Sequence, residues 1–246
     1  MTRRSPARRA RAVLSAAVGL ALTLSLGTGC SMLSEPEPAG DPSPSETTAV
    51  EQLVDSQFTR DGTFQSHLSV KGAKGVDFVY TLYPTKSTPR TNEWYPMGPK
   101  YFSFTFQAYD LSRKLRDPFA TKRKVYLDTI RVTSRVITAD GGTGDQKPYR
   151  LNAEARRITF DPEPVSTQYG MLVTSPKGAF ELRNQQIRGT DLDTRGIELR
   201  FSAVVHVQKS AGSSEYLKRT VKQTVPIAIF ESDERTQSQE IPINAN

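Results

Sequence analysis

Residues 197–208 read Ile-Glu-Leu-Arg-Phe-Ser-Ala-Val-Val-His-Val-Gln, and their alternation decides the fold class. Ile197, Leu199, Phe201, Ala203, Val205 and Val207 fall on one side of an extended chain; Glu198, Arg200, Ser202, His206 and Gln208 fall on the other. Successive side chains of a strand point to opposite faces, so this run predicts a strand with one face in a core and one in water. Ser210-Ala211-Gly212-Ser213-Ser214 has the composition of a turn. The chain then returns through 216–230 with Leu217, Val221, Val225, Ile227 and Ile229 in phase. The two runs predict a long antiparallel hairpin. Pro226 has no N–H to give a neighbour, which puts the second strand at an edge or on a bulge.

The same period extends outward from this hairpin. Val76, Phe78, Tyr80 and Leu82 alternate with their neighbours, as do Phe102, Phe104, Phe106 and Ala108. Within 124–139 the apolar phase slips between Val125/Leu127 and Ile130/Val132, which predicts a bulge near Asp128 and Thr129. Leu151, Ala153 and Ala155 predict a further strand, with another slip before Ile158 and Phe160. Ser175-Pro176-Lys177-Gly178 predicts a turn between short strands at 171–174 and 179–182. A short helix is expected over 49–58, capped by Thr47 or Thr48, with Val50, Leu53 and Val54 on one face. About nine strands with turns between them, and no long helical pattern, predict an all-β fold. The expected form is an antiparallel β-sandwich, with the immunoglobulin arrangement as one candidate.

The N-terminus is an address. Arg3, Arg4, Arg8, Arg9 and Arg11 precede an apolar run over 12–26, which ends in Leu26-Gly27-Thr28-Gly29-Cys30. A basic region, a short apolar core and small residues before a cut make an export signal. The run is shorter than the roughly 20 apolar residues of a membrane span. Cys30 is the only cysteine. This arrangement resembles the lipobox of bacterial lipoproteins, with Gly29 before the cut and Leu26 one residue further upstream than the usual pattern. The resemblance implies that Cys30 carries a lipid and anchors the chain to the outer face of the cell membrane. Ala10 and Arg11 stand where a twin-arginine signal has apolar residues, so the general secretion route is expected. No family resemblance extends beyond this segment.

The organisation that follows is a signal at 1–29, a tether at 30–56, a β-sandwich at 57–230 and a polar tail at 231–246. Residues 31–48 are rich in Pro, Ser, Glu and Thr and have almost nothing to bury. About 25 residues of such chain span roughly 25–30 Å as a coil and up to about 75 Å extended. With Cys30 committed to lipid, no thiol remains for a disulfide or a cysteine–zinc site.

Charge is divided along the chain. The formal +7 includes five arginines of the signal, and residues 30–56 carry six acids and no base. Residues 57–230 hold 27 Lys and Arg against 16 Asp and Glu, a net +11, and the tail carries −3. A basic exported domain points to an anionic envelope polymer, lipid headgroups or an acidic protein as partner, and away from nucleic acid.

Two stretches are candidate binding sites. The loop 85–100 holds the only tryptophan, Trp94, beside Tyr95, with Arg90, Lys86 and Lys100 around it. Aromatic faces with cations are suited to a sugar ring or an anionic ligand. The alternative is that Trp94 folds back and pins the loop. The second stretch runs from Arg113 to Lys124 and contributes Arg116, Lys122, Arg123 and Lys124, relieved by Asp117. An intervening strand over 101–109 is expected to hold these loops at opposite ends of the sandwich, with the tether beside the Trp94 loop. Asp140, Asp145, Asp191 and Asp193 read as turn residues, since neither stretch has EF-hand spacing. No Gly-x-Ser-x-Gly is present. No catalytic, metal or cofactor site is expected. The leading expectation is an anchored protein with a binding or structural role in the envelope. The alternative is an envelope hydrolase using scattered carboxylates or His206.

Overall fold

A computed structural model describes residues 53–85 and 92–232. The proposed lipid-bearing Cys30, the signal, most of the tether, Lys86, Arg90 and the end of the tail lie outside the described residues.

Among the described residues, eleven strands form two antiparallel sheets packed face to face. One sheet has the order β1-β2-β3-β9, from Phe64–Leu68, Val76–Pro84, Lys100–Asp110 and Phe180–Ile187. The other follows β11-β10-β4-β8-β7, from Tyr216–Ala228, Thr194–Gln208, Val125–Thr138, Gly170–Leu172 and Ser166–Thr167. Short β5 (Thr143–Gly144) and β6 (Arg150–Glu154) also pair with β4. Immunoglobulin-type sandwiches carry their third strand in the second sheet. Here β1, β2 and β3 are successive neighbours in one sheet, so the fold is an all-β sandwich without that strand order.

The hairpin forms in the register its pattern demands. Val207 pairs with Leu217, Ala203 with Val221, Leu199 with Val225 and Ile197 with Ile227. All six apolar residues of the 197–207 face are buried. They meet Tyr80 and Phe104 of the opposite sheet, with Phe201 lying 5.0 Å from Phe104 and 5.5 Å from Tyr80 between ring centroids. β11 lies at the edge of its sheet, one of the two places Pro226 allows. The bulge is also where the slipped phase put it. Val204 pairs with Thr129 and Val205 with Leu127, leaving Asp128 without an opposite residue.

Three local expectations are corrected. The first helix runs over Gln57–Asp61 and Leu53 to Ser56 are not helical, because Ser56 accepts the Thr59 N–H at 3.0 Å and caps the helix. The Ser56 hydroxyl also donates to the Pro226 carbonyl, fastening the chain's entry to β11. The predicted strand at 151–155 stops at Glu154, and Ala155–Ile158 forms one helical turn with Ala155 in the core. The 171–174 segment is shared between sheets. Met171 and Leu172 pair with β4, whereas Ala108 of β3 donates to Val173 O and accepts from Ser175 N. Thr174 sits fully buried at this crossover, where its hydroxyl accepts the Val125 N–H at 2.7 Å and donates to Arg123 O.

Candidate functional site

β3 separates the two candidate loops. Its eleven residues span about 35 Å at some 3.3 Å per residue. Residues 92–99 lie at the Lys100 end, beside the entering chain, and the basic segment lies at the Asp110 end. Asn92 donates to Thr59 O, and Trp94 packs edge-on against Phe58 at 4.9 Å, which places α1 with the Trp94 loop.

At the near end the sequence-proposed ligand platform is a fastening. Trp94 is buried, bridges to Ile229, and its carbonyl accepts the Phe230 N–H. An indole in this position presents no open face for a sugar. Tyr95 is half-buried, packs toward Phe230, and its hydroxyl lies 3.3 Å from Glu93. Lys100 is also interior. Its ammonium donates to the carbonyls of Pro96 and Gly98 at 2.9 and 3.0 Å, and burial lowers its pKa to about 8. The loop closes over its own lysine.

The far end divides the basic cluster into structural and exposed members. Lys122 is buried, and its ammonium donates to Lys114 O. Arg123 grips Asp110: Nε and Nη2 donate to Oδ1 at 3.2 and 2.7 Å, and the backbone N–H donates to Oδ2 at 2.7 Å. Its Nη1 donates to Lys74 O. Gly75, at φ +75°, leaves room for this guanidinium; a Cβ there would lie 3.2 Å from Nη2. Burial pushes the Asp110 carboxyl up. Hydrogen bonds from the Arg123 side chain and backbone and from Ser112 outweigh that, leaving its pKa at about 2. Arg113, Lys114 and Arg116 are exposed and Lys124 is half-exposed. Asp117 serves its own turn by accepting the Lys114 N–H. Lys122 and Arg123 therefore hold the loop in place, whereas the outward charge comes from their neighbours.

Folding adds residues that the linear cluster did not contain. The turns at 69–75, 111–124, 173–179 and 209–215 meet at this end and carry ten lysines and arginines against two acids. A pocket of about 310 Å³ opens there, lined by Lys74, Asp110, Arg113, Thr121, Arg123 and Lys209 among others. Lys74 shares its short turn only with Lys71, and Lys209 shares its turn with Glu215, so no linear pattern marks them. Among the described residues, the near-end segments 53–63, 92–99, 139–149, 188–193 and 229–232 carry eight acids and three bases. The domain is electrically polarised along its strands.

A second cluster lies on the outer face of the larger sheet. Tyr169, from the turn between β7 and β8, lies 4.3 Å from Tyr216 and 5.2 Å from His206 between ring centroids, with Tyr126 beside them. His206 Nε2 is 3.8 Å from Asp128 Oδ2, which also lies 3.7 Å from Lys218. Among the described residues no hydrogen bond joins His206 to a serine or threonine hydroxyl. Asp140 is a turn residue, accepting from Thr138 Oγ1 and the Gly142 N–H.

No protein-family model matches this chain. No curated protein matches it either.

Proposed function

We propose that this chain is an extracytoplasmic binding protein, anchored through a lipid on Cys30, that presents the far end of its β-sandwich to an anionic partner in the cell envelope. The observation that carries the reading is the convergence of four turns, with ten lysines and arginines against two acids between them, at the end of β3 opposite the chain's entry. A field of one sign draws an oppositely charged polymer or acidic protein and speeds its encounter. The anchor fixes the location, the tether supplies reach, and the far end makes the contact.

The test is retention of the full chain, carrying Cys30→Ser so that no lipid contributes, on isolated cell envelopes. The expected result is strong retention at about 0.1 M salt, where charges are screened over about 10 Å, and release near 1 M, where the length is about 3 Å. Lys71→Gln, Lys114→Gln and Arg116→Gln together are expected to abolish it. All three side chains are exposed, so the substitutions leave the Asp110 network intact. Retention that ignores salt and these charges would overturn the reading.

The contact of His206 with Asp128 supports a second reading, an envelope hydrolase with His206 as its base. Its test is turnover of envelope glycan or ester substrates by the wild type and by His206→Gln. Equal product from both would dismiss it.

A further inference from the structure

We infer that the far-end pocket bounded by Lys74, Arg113, Arg123 and Lys209 is a binding site for a phosphate group. This rests on the reading of the far end as a contact surface and names the chemistry taken there. Three parts of the chain build the site: the turn before β2, the segment from Asp110 to Arg123, and the tip of the β10–β11 hairpin. Among the described residues, Asp110 is the only acid lining it, and its charge is spent on Arg123 at 2.7 Å. Lys209 is matched by Glu215. Among the described residues, the side chains of Lys74 and Arg113 have no carboxylate partner. The fold thus brings two uncompensated cations to one pocket, where like charges disfavour each other until a counter-charge arrives.

The donor set selects the kind of anion. Arg123 uses three of its five N–H donors on Asp110 and Lys74 O, and its fork stays fixed by them. Lys74, Arg113 and Lys209 approach from separate segments, with the hydroxyls of Thr121 and Ser210 at the wall. Donors spread around a cavity suit a tetrahedral anion with three or four acceptor oxygens. A planar carboxylate offers two oxygens in one plane and leaves part of such a set unused. The volume exceeds one phosphate group, leaving room for the carbon unit to which it is esterified.

The experiment is a titration of the isotope-labelled full chain, carrying Cys30→Ser, with inorganic phosphate, followed by amide chemical shifts. Acetate at equal ionic strength runs beside it. The expected result is saturable shifts confined to residues 74–75, 110–113, 121–123 and 209–211, with acetate at least tenfold weaker. Lys74→Gln with Arg113→Gln is expected to weaken phosphate binding tenfold or more without changing the melting temperature, since both side chains are exposed. Shifts scattered over surface lysines, equal response to acetate, or unchanged affinity in the double variant would each overturn the site. Two further arms identify the source of the phosphate. Phosphate-competed retention on lipid-extracted envelopes assigns it to a polymer, and retention on phosphatidylglycerol vesicles assigns it to a lipid headgroup. Saturable phosphate binding with no retention on envelopes or vesicles leaves the pocket standing and removes the envelope reading. Envelope retention with no pocket saturation does the reverse.

Discussion

Asp110 shows how one residue at a strand end organises a loop that looks like a charged patch in the sequence. Its carboxylate accepts from Arg123 and Ser112, and removing the charge leaves a largely buried guanidinium at the pocket wall without its partner. Asp110→Asn is therefore expected to cost about 3–5 kcal/mol, the range for breaking one side of a buried pair, measured by denaturant unfolding. The pH dependence follows in sign. A carboxyl at about pKa 2 in the fold and near 3.9 unfolded contributes stability above about pH 4, and loses it as pH falls toward 2. Lys100 acts in the opposite pH range. Its folded pKa of about 8 lies below the unfolded value of about 10.4, so the unfolded chain holds more protons between those values. Stability should rise with pH from about 8 to 10 by this contribution. Lys100→Met is expected to flatten that rise in unfolding midpoints taken across the range.

At the scale of elements, close approaches hold the outer strands in place. β8 passes so near β4 that a Cβ on Gly170, at φ +111°, would lie 2.1 Å from Leu127 O. Gly170→Ala is expected to displace the β7–β8 hairpin and with it Tyr169, lowering the melting temperature and freeing the ring cluster at His206. The check is amide exchange at 166–172, which should accelerate while β10 and β11 keep their protection. Trp94 plays the equivalent part at the near end. Trp94→Ala is expected to cost about 3–5 kcal/mol, as for other large buried aromatics, while leaving phosphate binding at the far end unchanged. Loss of phosphate binding with the fold intact would show that the two ends are coupled. The edge strand β11 carries exposed Lys218 and Lys222 and the prolyl nitrogen of Pro226, features that discourage pairing with another chain.

At the scale of the whole molecule, charge is arranged by end. Lys71, Lys114 and Arg116 share the far end, whereas Arg131, Lys147 and Lys222 are exposed elsewhere. Neutralising either set to Gln changes the net charge equally. The far-end set is expected to elute from a phosphocellulose column at clearly lower salt than the other. Elution at the same salt would show that net charge alone governs the interaction. Burial also changes which substitutions are informative. Lys122→Ala and Arg123→Ala remove loop supports, so any binding loss they cause is mixed with a loss of structure.

The alternating runs determined the fold class, the β10–β11 hairpin and the bulge near Asp128, and Pro226 narrowed β11 to an edge or a bulge. Each follows from local sterics and the two-residue period, which a linear reading contains. The division of the basic residues between support and surface was not legible. Lys122 and Arg116 are chemically alike in the sequence and differ only in whether a carbonyl and a wall of protein lie above them. Trp94 is ambiguous for the same reason, since an indole serves equally as core or platform until Phe58 and Ile229 are placed against it. The site brings Lys74 and Lys209 together from positions 135 residues apart. Only the meeting of the two sheets decides which turns share an end, and hence where unpaired charge accumulates.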